Sequence, residues 1–273
     1  MKEKTVERPT FFRGVGLHSG KPTLIKILPR SGGGVVFENE KREKIRALYN
    51  FVIDAGLGVT ISNGKITVRT IEHLMAAIFA CNLDNLTIRI EGEEAPIMDG
   101  SAEVFIKHLK KAGVRNLKNN RKYLKILKSV EYSEGDKFIK ITPADNFSID
   151  MTVDFPYGNI GRQRALWDGQ SQMFSARTFC NKKEIEYMQA NGLARGGSLE
   201  NAMVFDENGL MNAGGARMEN EVANHKILDC VGDLFASGYY LRGKVEANKT
   251  GHGLNNNLLR KLFGDKNNYE VEK

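Results

Sequence analysis

Cysteine is scarce in this sequence. The chain has 273 residues and only three cysteines, Cys81, Cys180 and Cys230. Their number is odd and no two of them have Cys-x-x-Cys spacing, which argues against a cysteine zinc site. We therefore expect free thiols in a reducing compartment.

Long apolar runs are also missing. The longest fall well short of the roughly 18 apolar residues that a membrane-spanning helix needs. The charged residues 1–8 do not lead into the apolar segment of a secretory signal, and the glycine-rich residues 31–34 lack the lysine and the Ser/Thr of a P-loop. The sequence thus predicts a cytoplasmic protein without a P-loop.

Acidic residues are in the minority, with 33 Asp and Glu against 40 Lys and Arg, for a net charge of +7. This excess suits nucleic acid, a diphosphate-bearing substrate or an anionic membrane surface. We interpret the densest basic stretch, residues 107–128, as a solvated connection between two domains rather than a binding patch. The charged residues 265–273 have no apolar periodicity and are expected to fray.

Short alternating segments followed by helical segments occur in both halves of the chain. Period-two alternation predicts strands at residues 23–28, 86–90, 138–141 and 147–153. We therefore predict an α+β protein with an N-terminal domain at 1–122 and a C-terminal domain at 123–273. Its hydrophobic content of 41% suffices for a separate core in each domain.

The segment 224–233 contains the densest set of reactive side chains. His225, Asp229 and Asp233 are four residues apart, so a helix would place them on one stripe about 80° wide, with apolar residues opposite. Such a stripe is either a solvated face or a ligand set. The imidazole, the two carboxylates and the glycine favour a ligand set, because surface stripes are usually Glu/Lys pairs.

Two further segments contribute one histidine each. Thr70 can cap a helix with Glu72 and His73 in its first turn. This arrangement is typical of a zinc hydrolase with a glutamate base, or simply of a helix that begins with an acidic residue. His252 lies between glycines, which indicates a tight loop. It could protonate a leaving group or be only a turn residue.

Motifs along nearly the whole chain resemble one enzyme family. The chain has T-I-E-H at 70–73 and H-K-I-L-D-x-x-G-D at 225–233. It also has G-V-G-L-H-S-G at 14–20, D-N at 84–85, P-I-M-D-G-S at 96–101, A-R-T-F at 176–179, G-G-S at 196–198 and K-T-G-H at 249–252. In this order they are similar to the zinc-dependent UDP-3-O-acyl-N-acetylglucosamine deacetylases, which act at the committed step of lipid A synthesis in Gram-negative bacteria.

The resemblance implies a fold and a metal site. The fold would be two similar α+β domains, each with helices layered against β-sheet, and the active site would lie at the domain interface. One zinc ion per chain would be held by His73, His225 and Asp229. Glu72 would act as general base on water. The reaction would release acetate and the free amine of the sugar.

Further roles follow from the same resemblance. His252 would protonate the departing amine, Asp233 would hold the imidazole of His252, and Thr178 would help to stabilise the oxyanion. Asn224 is a departure, because the family usually has arginine immediately before the zinc histidine. This departure changes the local charge but removes no ligand.

The resemblance also implies substrate contacts. Phe179, Lys226 and Lys249 match positions that contact the substrate, the two lysines near its phosphates. An insert near residues 180–204 would form an apolar passage for the fatty acyl chain, with four candidate lining residues: Leu17, Ile185, Leu193 and Ala194. An ordinary small satellite core is equally compatible with these residues.

Two other interpretations stay open at this stage. One is a metal hydrolase that acts on a different acylated amine, and the other is a basic RNA-binding module whose His/Asp stripe is structural. Under the deacetylase interpretation we expect a UDP-linked acylated glucosamine as the substrate and no nucleic acid partner. We further expect a monomer with at most a peripheral association with membranes.

Overall fold

The computed structural model describes residues 1–157, 159–169 and 172–272. Lys273, the last residue of the predicted C-terminal domain, lies outside this range. The described residues form five α-helices: α1 (Glu72–Ala80), α2 (Glu103–Ala112), α3 (Lys182–Ala190), α4 (Glu221–Phe235) and α5 (His252–Gly264). Within these ranges, no helix combines the length and the apolar character that crossing a bilayer requires.

The first half of the chain contains ten strands. In chain order they are β1 (Lys2–Val6), β2 (Thr10–Val15), β3 (Pro22–Pro29), β4 (Val35–Glu38), β5 (Lys44–Arg46), β6 (Val52–Asp54), β7 (Thr60–Ser62), β8 (Thr67–Val68), β9 (Leu86–Glu91) and β10 (Val114–Asn120). Five form a mixed sheet of order β2-β3-β9-β4-β5, in which β4 and β9 run parallel. Strands β6, β7 and β8 form a small antiparallel sheet, and β1 pairs with β10.

The second half contains the remaining strands. They are β11 (Tyr123–Ile126), β12 (Val130–Glu134), β13 (Lys137–Thr142), β14 (Ser148–Phe155), β15 (Gly161–Trp167), β16 (Phe179–Asn181), β17 (Met203–Asp206), β18 (Gly209–Leu210), β19 (Tyr240–Arg242), β20 (Lys244–Asn248) and β21 (Tyr269–Glu272). The main sheet has the order β12-β13-β20-β14-β15, with β14 and β20 parallel. Two smaller sheets have the orders β16-β17-β18 and β19-β11-β21.

The two halves repeat one topology. Each main sheet has two antiparallel pairings, then one parallel pairing, then a final antiparallel one. In the first half, α1 precedes β9 along the chain and α2 follows it. In the second half, α4 precedes β20 and α5 follows it in the same way. The predicted α+β class with two similar units is therefore confirmed.

The predicted strands follow from their alternation. Along β3 the side chains of Thr23, Ile25 and Ile27 are buried, while those between them are partly or fully exposed. Strand β14 buries Ile149 and Met151 in the same way. Because alternate side chains point to opposite faces of a sheet, one face of each strand packs on the helices. The four predicted strands are confirmed as β3, β9, β13 and β14.

The expectation of a separate core in each half is wrong, because the buried apolar residues form one continuous cluster. Helix α1 is apolar around most of its circumference and is enclosed by both halves. The ring of Phe79 contacts four aromatic rings of the second half, those of Phe147, Trp167, Phe235 and Tyr240, with centroid distances of 5.0–5.9 Å. A helix without a polar face must be covered on every side, and the second half supplies that cover.

Of two expectations about charged segments, one is confirmed in part and the other is wrong. The basic stretch 107–128 contains regular structure, since α2 continues to Ala112 and β10 pairs with β1, but it does connect the two halves and six of the seven residues of β10 are exposed. Within it Arg121 is only 2% exposed and bonds to Asp84. The C-terminal residues that the structure describes, up to Glu272, do not fray, because β21 pairs with β11. Backbone pairing with distant strands compensates for the missing apolar periodicity.

Candidate metal centre and active site

Helices α1 and α4 bring the predicted metal ligands together. His73 lies in the first turn of α1, and His225 and Asp229 lie one turn apart on α4. One ligand atom from each of the three lies within 4.8 Å of the others. All three residues are at most 5% exposed. The interpretation of the α4 stripe as a solvated face is therefore wrong.

Glycine allows the two helices to approach closely. A Cβ atom on Gly232 would lie 2.1 Å from the carbonyl oxygen of Glu72, far inside van der Waals contact. Any side chain at this position would therefore push α1 and α4 apart. The glycine of the H-K-I-L-D-x-x-G-D motif thus sets the distance between His73 and the ligands on α4.

Electron lone pairs converge at the centre of the ligand set. His225 Nδ1 lies 3.1 Å from the carbonyl oxygen of Ala176. Since a carbonyl only accepts, Nδ1 donates and Nε2 presents a lone pair. Burial lowers the pKa of His225 to about 4, against the opposing effect of Asp229, so the ring is neutral near pH 7. Asp229 Oδ1 lies 3.4 Å from His225 Nε2 and 3.5 Å from His73 Nε2.

This arrangement fits a metal ion. Asp229 Oδ1 and His73 Nδ1 are buried without a hydrogen-bond partner in the described part of the chain. Leaving a buried polar atom unpaired costs about 1–3 kcal/mol, and more when the group is charged. A cation coordinated by the three side chains would remove the cost at Asp229 and the repulsion between the lone pairs.

Lys226 holds the second oxygen of the carboxylate ligand. Its Nζ donates to Asp229 Oδ2 at 2.8 Å. Burial would raise the pKa of Asp229, but the side chains of His225, Lys226 and His252 outweigh burial and hold this pKa well below its usual range. Asp229 is therefore ionised. Lys226 thus lies beside the ligand set.

Glu72 is a buried carboxylate next to the ligand set. It is 3% exposed, and its Oε2 accepts a hydrogen bond from the backbone N–H of Val59 at 2.9 Å. Burial raises the pKa of Glu72, although His252 and His73 oppose the rise. A raised pKa makes a carboxylate a stronger base. Thr70 does not cap this helix as predicted, because its backbone is left-handed, with a φ of 54°, and its hydroxyl donates to Glu94.

His252 is paired with Asp233. Its Nδ1 lies 2.8 Å from Asp233 Oδ2, which also accepts from Asn255 Nδ2 at 2.8 Å. Burial lowers the pKa of His252, but Asp233 and Asp229 outweigh burial and raise it to about 9. His252 is therefore a cation near neutral pH. The predicted loop position is wrong, since His252 begins α5 and is only 8% exposed. The preceding Gly251 has the extended backbone that allows the helix to start there.

The A-R-T-F segment joins the ligand set to an apolar cavity. Thr178 accepts the backbone N–H of Met203 and donates its own N–H to the carbonyl of Gly100. Phe179 packs edge-on against His225, with ring centroids 6.1 Å apart. Thr178 and Phe179 both line the cavity. They lie at the point where it approaches the ligand set.

The cavity has a volume of about 310 Å³ and a mainly apolar wall. Leu17 of the first half lines it together with Ile185 and Ala194 of the insert. Leu193 is not among the described residues of the wall. Its backbone N–H bonds to the carbonyl of Met188 where the chain turns after α3, and Met188 does line the cavity.

The candidate Lys249 and the departure Asn224 form their bonds outside the ligand set. Lys249 is 30% exposed and pairs with Asp136 and Asp154 at 2.8 and 3.3 Å. Its side chain borders a second, polar cavity on the main sheet of the second half. Asn224 donates to the carbonyls of Glu219 and Asn220, so it stabilises the start of α4.

Several contributors to the site were missed from the sequence. The carbonyl of Ala176 and the N–H of Val59 are backbone groups, which have no signature in a sequence. Asn255 follows His252 by three residues, and this helical spacing could have indicated it. His18 lines the cavity, and its position inside the G-V-G-L-H-S-G motif was a usable signal.

Comparison with known proteins agrees with this site. The profile of the LpxC family, described as UDP-3-O-acyl N-acetylglycosamine deacetylase, matches residues 3–264. A UDP-3-O-acyl-N-acetylglucosamine deacetylase of Nautilia profundicola is 39% identical over 96% of this chain and 92% of its own length. Those of an Anaeromyxobacter and a Psychrobacter species are 39% and 38% identical, over 96% and 99% of this chain and 89% and 95% of their own lengths. The chain therefore belongs to the LpxC family of UDP-3-O-acyl N-acetylglycosamine deacetylases.

Proposed function

We propose that this chain hydrolyses the N-acetyl group of UDP-3-O-(3-hydroxyacyl)-N-acetylglucosamine with a zinc ion held by His73, His225 and Asp229. The products are acetate and the free amine, and the reaction belongs to lipid A biosynthesis. The observation that carries the proposal is the convergence of three buried ligand atoms, within 4.8 Å of one another, beside an apolar cavity large enough for part of an acyl chain.

The ligand set suits zinc. Two imidazoles and one carboxylate are a common protein ligand set in catalytic zinc sites. Around a tetrahedral ion with bonds of about 2.1 Å, neighbouring ligand atoms lie about 3.4 Å apart, and the two histidine nitrogens lie 3.5 and 3.4 Å from Asp229 Oδ1. When bound, zinc polarises a carbonyl and lowers the pKa of water to about 7.

Glu72 acts as the general base. Its carboxylate accepts a proton from the attacking water, and the hydrogen bond from Val59 fixes one oxygen while the proton passes to the other. Burial favours this role, because a carboxylate with a raised pKa holds the proton more strongly than an exposed one.

His252 acts as the general acid. As the carbon–nitrogen bond breaks, its cationic imidazole donates the Nε2 proton to the departing nitrogen, which leaves as a neutral amine. Asp233 accepts from Nδ1 throughout, so the ring keeps its orientation. Thr178 donates toward the oxyanion, which supplies a fixed dipole where negative charge develops.

The remaining candidates bind the substrate. Leu17, Ile185 and Ala194 contact the acyl chain in the apolar cavity, and Leu193 supports its wall from behind. Phe179 separates the acyl chain from the reacting amide. Lys226 lies near the reacting centre. Lys249 follows β20, and its ammonium group binds the diphosphate when it exchanges its carboxylate partners Asp136 and Asp154 for phosphate oxygens.

One chain supplies every side chain of the proposed site, so a monomer is sufficient for activity. Three free thiols in the described structure favour a reducing cytoplasm as its location. The division at residue 122 separates the two repeated units. The protein associates with membranes at most peripherally.

The decisive experiment measures acetate release by zinc-loaded protein. The substrates are UDP-3-O-(3-hydroxyacyl)-N-acetylglucosamine and, as a matched control, an N-acetylated glucosamine without the nucleotide or the acyl chain. We expect rapid release from the first and slow release from the second. Equal rates with both would point to a hydrolase of another acylated amine, and a protein that binds no zinc would contradict the proposal.

A further inference from the structure

Glu94 is a buried carboxylate outside the reacting groups. It is 2% exposed and lies between β9 and α2. Its Oε1 accepts from the backbone N–H of His18 at 2.8 Å and from the hydroxyl of Thr70 at 3.1 Å. Its Oε2 accepts from the backbone N–H of Ser19 at 2.8 Å. Glu94 forms no ion pair with a lysine or arginine in the described ranges, so neutral donors from two separate segments satisfy it.

The first of these segments forms part of the cavity wall. Residues 16–20 make a tight turn in which the N–H of Gly20 bonds to the carbonyl of Gly16. A Cβ atom on Gly16 would lie 2.2 Å from Glu94 Oε2, so only glycine lets the turn close over the carboxylate. The turn presents Leu17 and His18 to the cavity. Glu94 therefore sets the position of this part of the wall.

The same turn is bonded to the insert on the other side of the cavity. The carbonyls of Leu17 and His18 accept from the N–H groups of Gly196 and Arg195 at 2.9 and 3.2 Å. His18 Nδ1 lies 3.4 Å from the N–H of Ala194. A ligand that widens the cavity must therefore displace the turn together with the insert.

The second segment leads directly into the catalytic helix. Thr70 has a left-handed backbone, with a φ of 54°, a conformation that β-branched residues rarely adopt. Glu94 accepts a hydrogen bond from the hydroxyl of Thr70 and so helps to stabilise this backbone conformation. Glu72 and His73 follow at the start of α1. A shift of the Glu94 carboxylate would thus be transmitted to the catalytic carboxylate and the first metal ligand.

A parallel connection runs through residues 57–59. His18 Nε2 lies 3.2 Å from the carbonyl oxygen of Leu57, and the N–H of Val59 bonds to Glu72 Oε2 at 2.9 Å. A Cβ on Gly58, between them, would lie 3.0 Å from Glu72 Oε1. The turn that lines the cavity is therefore connected to Glu72 by two routes, one through Glu94 and Thr70 and one through residues 57–59.

We propose that Glu94 is a positioning residue that couples occupancy of the apolar cavity to the alignment of Glu72 and His73. The proposal rests on the deacetylase function proposed above and deepens it. When a long acyl chain fills the cavity, its contacts with the turn at 16–20 fix Glu94, and Glu94 fixes Thr70. The acyl chain then contributes to kcat as well as to binding.

The test compares two substrates that differ in the length of the 3-O-acyl chain, one too short to fill the cavity and one that fills it. For the wild-type protein we expect a higher kcat with the long chain. In Glu94→Gln, which keeps the shape but replaces one accepting oxygen with a donor, we expect kcat for the long-chain substrate to fall about tenfold. The short-chain kcat and the zinc content should change little.

Thr70 supplies a matched pair that leaves the carboxylate in place. Thr70→Val removes the hydroxyl at constant shape and should reduce the kcat gain from the long chain. Thr70→Ser retains the hydroxyl and should keep most of that gain. If Glu94→Gln does not fold, these two Thr70 variants test the coupling between the cavity and the start of α1.

Three outcomes would overturn the inference. The first is an equal loss of kcat with both substrates in Glu94→Gln, which would mark a purely structural role. The second is a change in KM alone, and the third is a wild-type kcat that does not depend on the length of the acyl chain. Failure of the wild-type protein to release acetate from either substrate would instead refute the proposed function.

Discussion

The two halves of the molecule share a sheet topology but differ in the segment that follows the central strand β9 in the first half and β20 in the second. In the second half, residues 249–251 lead directly from β20 into α5 and place His252 at a buried helix start. In the first half the longer segment 92–102 connects β9 to α2 and carries the buried Glu94. One half thus presents a cationic histidine where the other presents a buried carboxylate.

The corresponding helices α1 and α4 also differ in the residues that they contribute to the site. Helix α1 contributes Glu72 and His73 from its first turn, whereas α4 contributes His225, Asp229 and Asp233 from its middle and last turns. Neither half contains the three clustered ligands by itself. A repeated scaffold therefore supports a site whose chemistry is unequally distributed, and the chemistry depends on the contact between the halves.

The largest expected effect tests whether both halves bind the metal. His73→Ala should remove a ligand from the first half, and His225→Ala or Asp229→Ala should remove one from the second. Because each leaves only two protein ligands, we expect zinc content to fall from about one per chain to a small fraction, with loss of activity. Metal analysis after dialysis measures this. Full zinc retention in His73→Ala would show that the second half binds the ion alone.

The next effect separates the first-turn glutamate of α1 from that of α2. Glu72→Gln should lower kcat by about 10² to 10⁴ with zinc retained, because the base is lost while the ligands stay. The matched control is Glu103→Gln in the first turn of α2, where the glutamate forms a surface pair with Lys107. It should leave kcat nearly unchanged. Similar losses in both variants would contradict the assignment of the base.

A third prediction concerns the contact between α1 and α4. Gly232→Ala would place a methyl group 2.1 Å from a backbone oxygen, so we expect a loss of about 1–3 kcal/mol in the free energy of unfolding. Gly264→Ala, at the end of α5, has no atom within 4 Å of the added methyl group and serves as the control. Urea denaturation of both variants checks this, and an unchanged midpoint for Gly232→Ala would count against the tight contact.

The smallest expected effect is a shift in pH dependence. His252 must be protonated to act, and its pKa is about 9, so activity should fall as the pH rises through this value. Asp233→Asn removes a charge that raises this pKa, and the alkaline limb should move to lower pH by about one unit or more. A kcat profile from pH 6 to about 10 measures it. An alkaline limb that stays in place would argue against His252 as the acid.

Much of the fold was predictable because it depends on local patterns. Strand β14 alternates partly exposed and buried residues from Ser148 to Val153, and this pattern is visible in sequence. The structure of residues 269–272 was not predictable in this way, since β21 is ordered by backbone pairing with β11. Pairing with a distant strand requires no particular side chain.

The site, too, has features that were predictable from the sequence and features that were not. The spacing of His225, Asp229 and Asp233 predicted a shared helix face, and the motifs suggested that His73 would meet them. The environment that sets their protonation was not visible. The carbonyl of Ala176 fixes the tautomer of His225, and the depth of burial sets its pKa. Both depend on the assembled fold.

The enclosure of Phe79 by aromatic rings from the second half bears on how the protein moves. Opening the two halves like a hinge would expose this ring and its neighbours to water, and the cost would be that of disrupting an interior rather than a surface. The protein should therefore melt in one cooperative transition. The substrate should then reach the site without separation of the two halves.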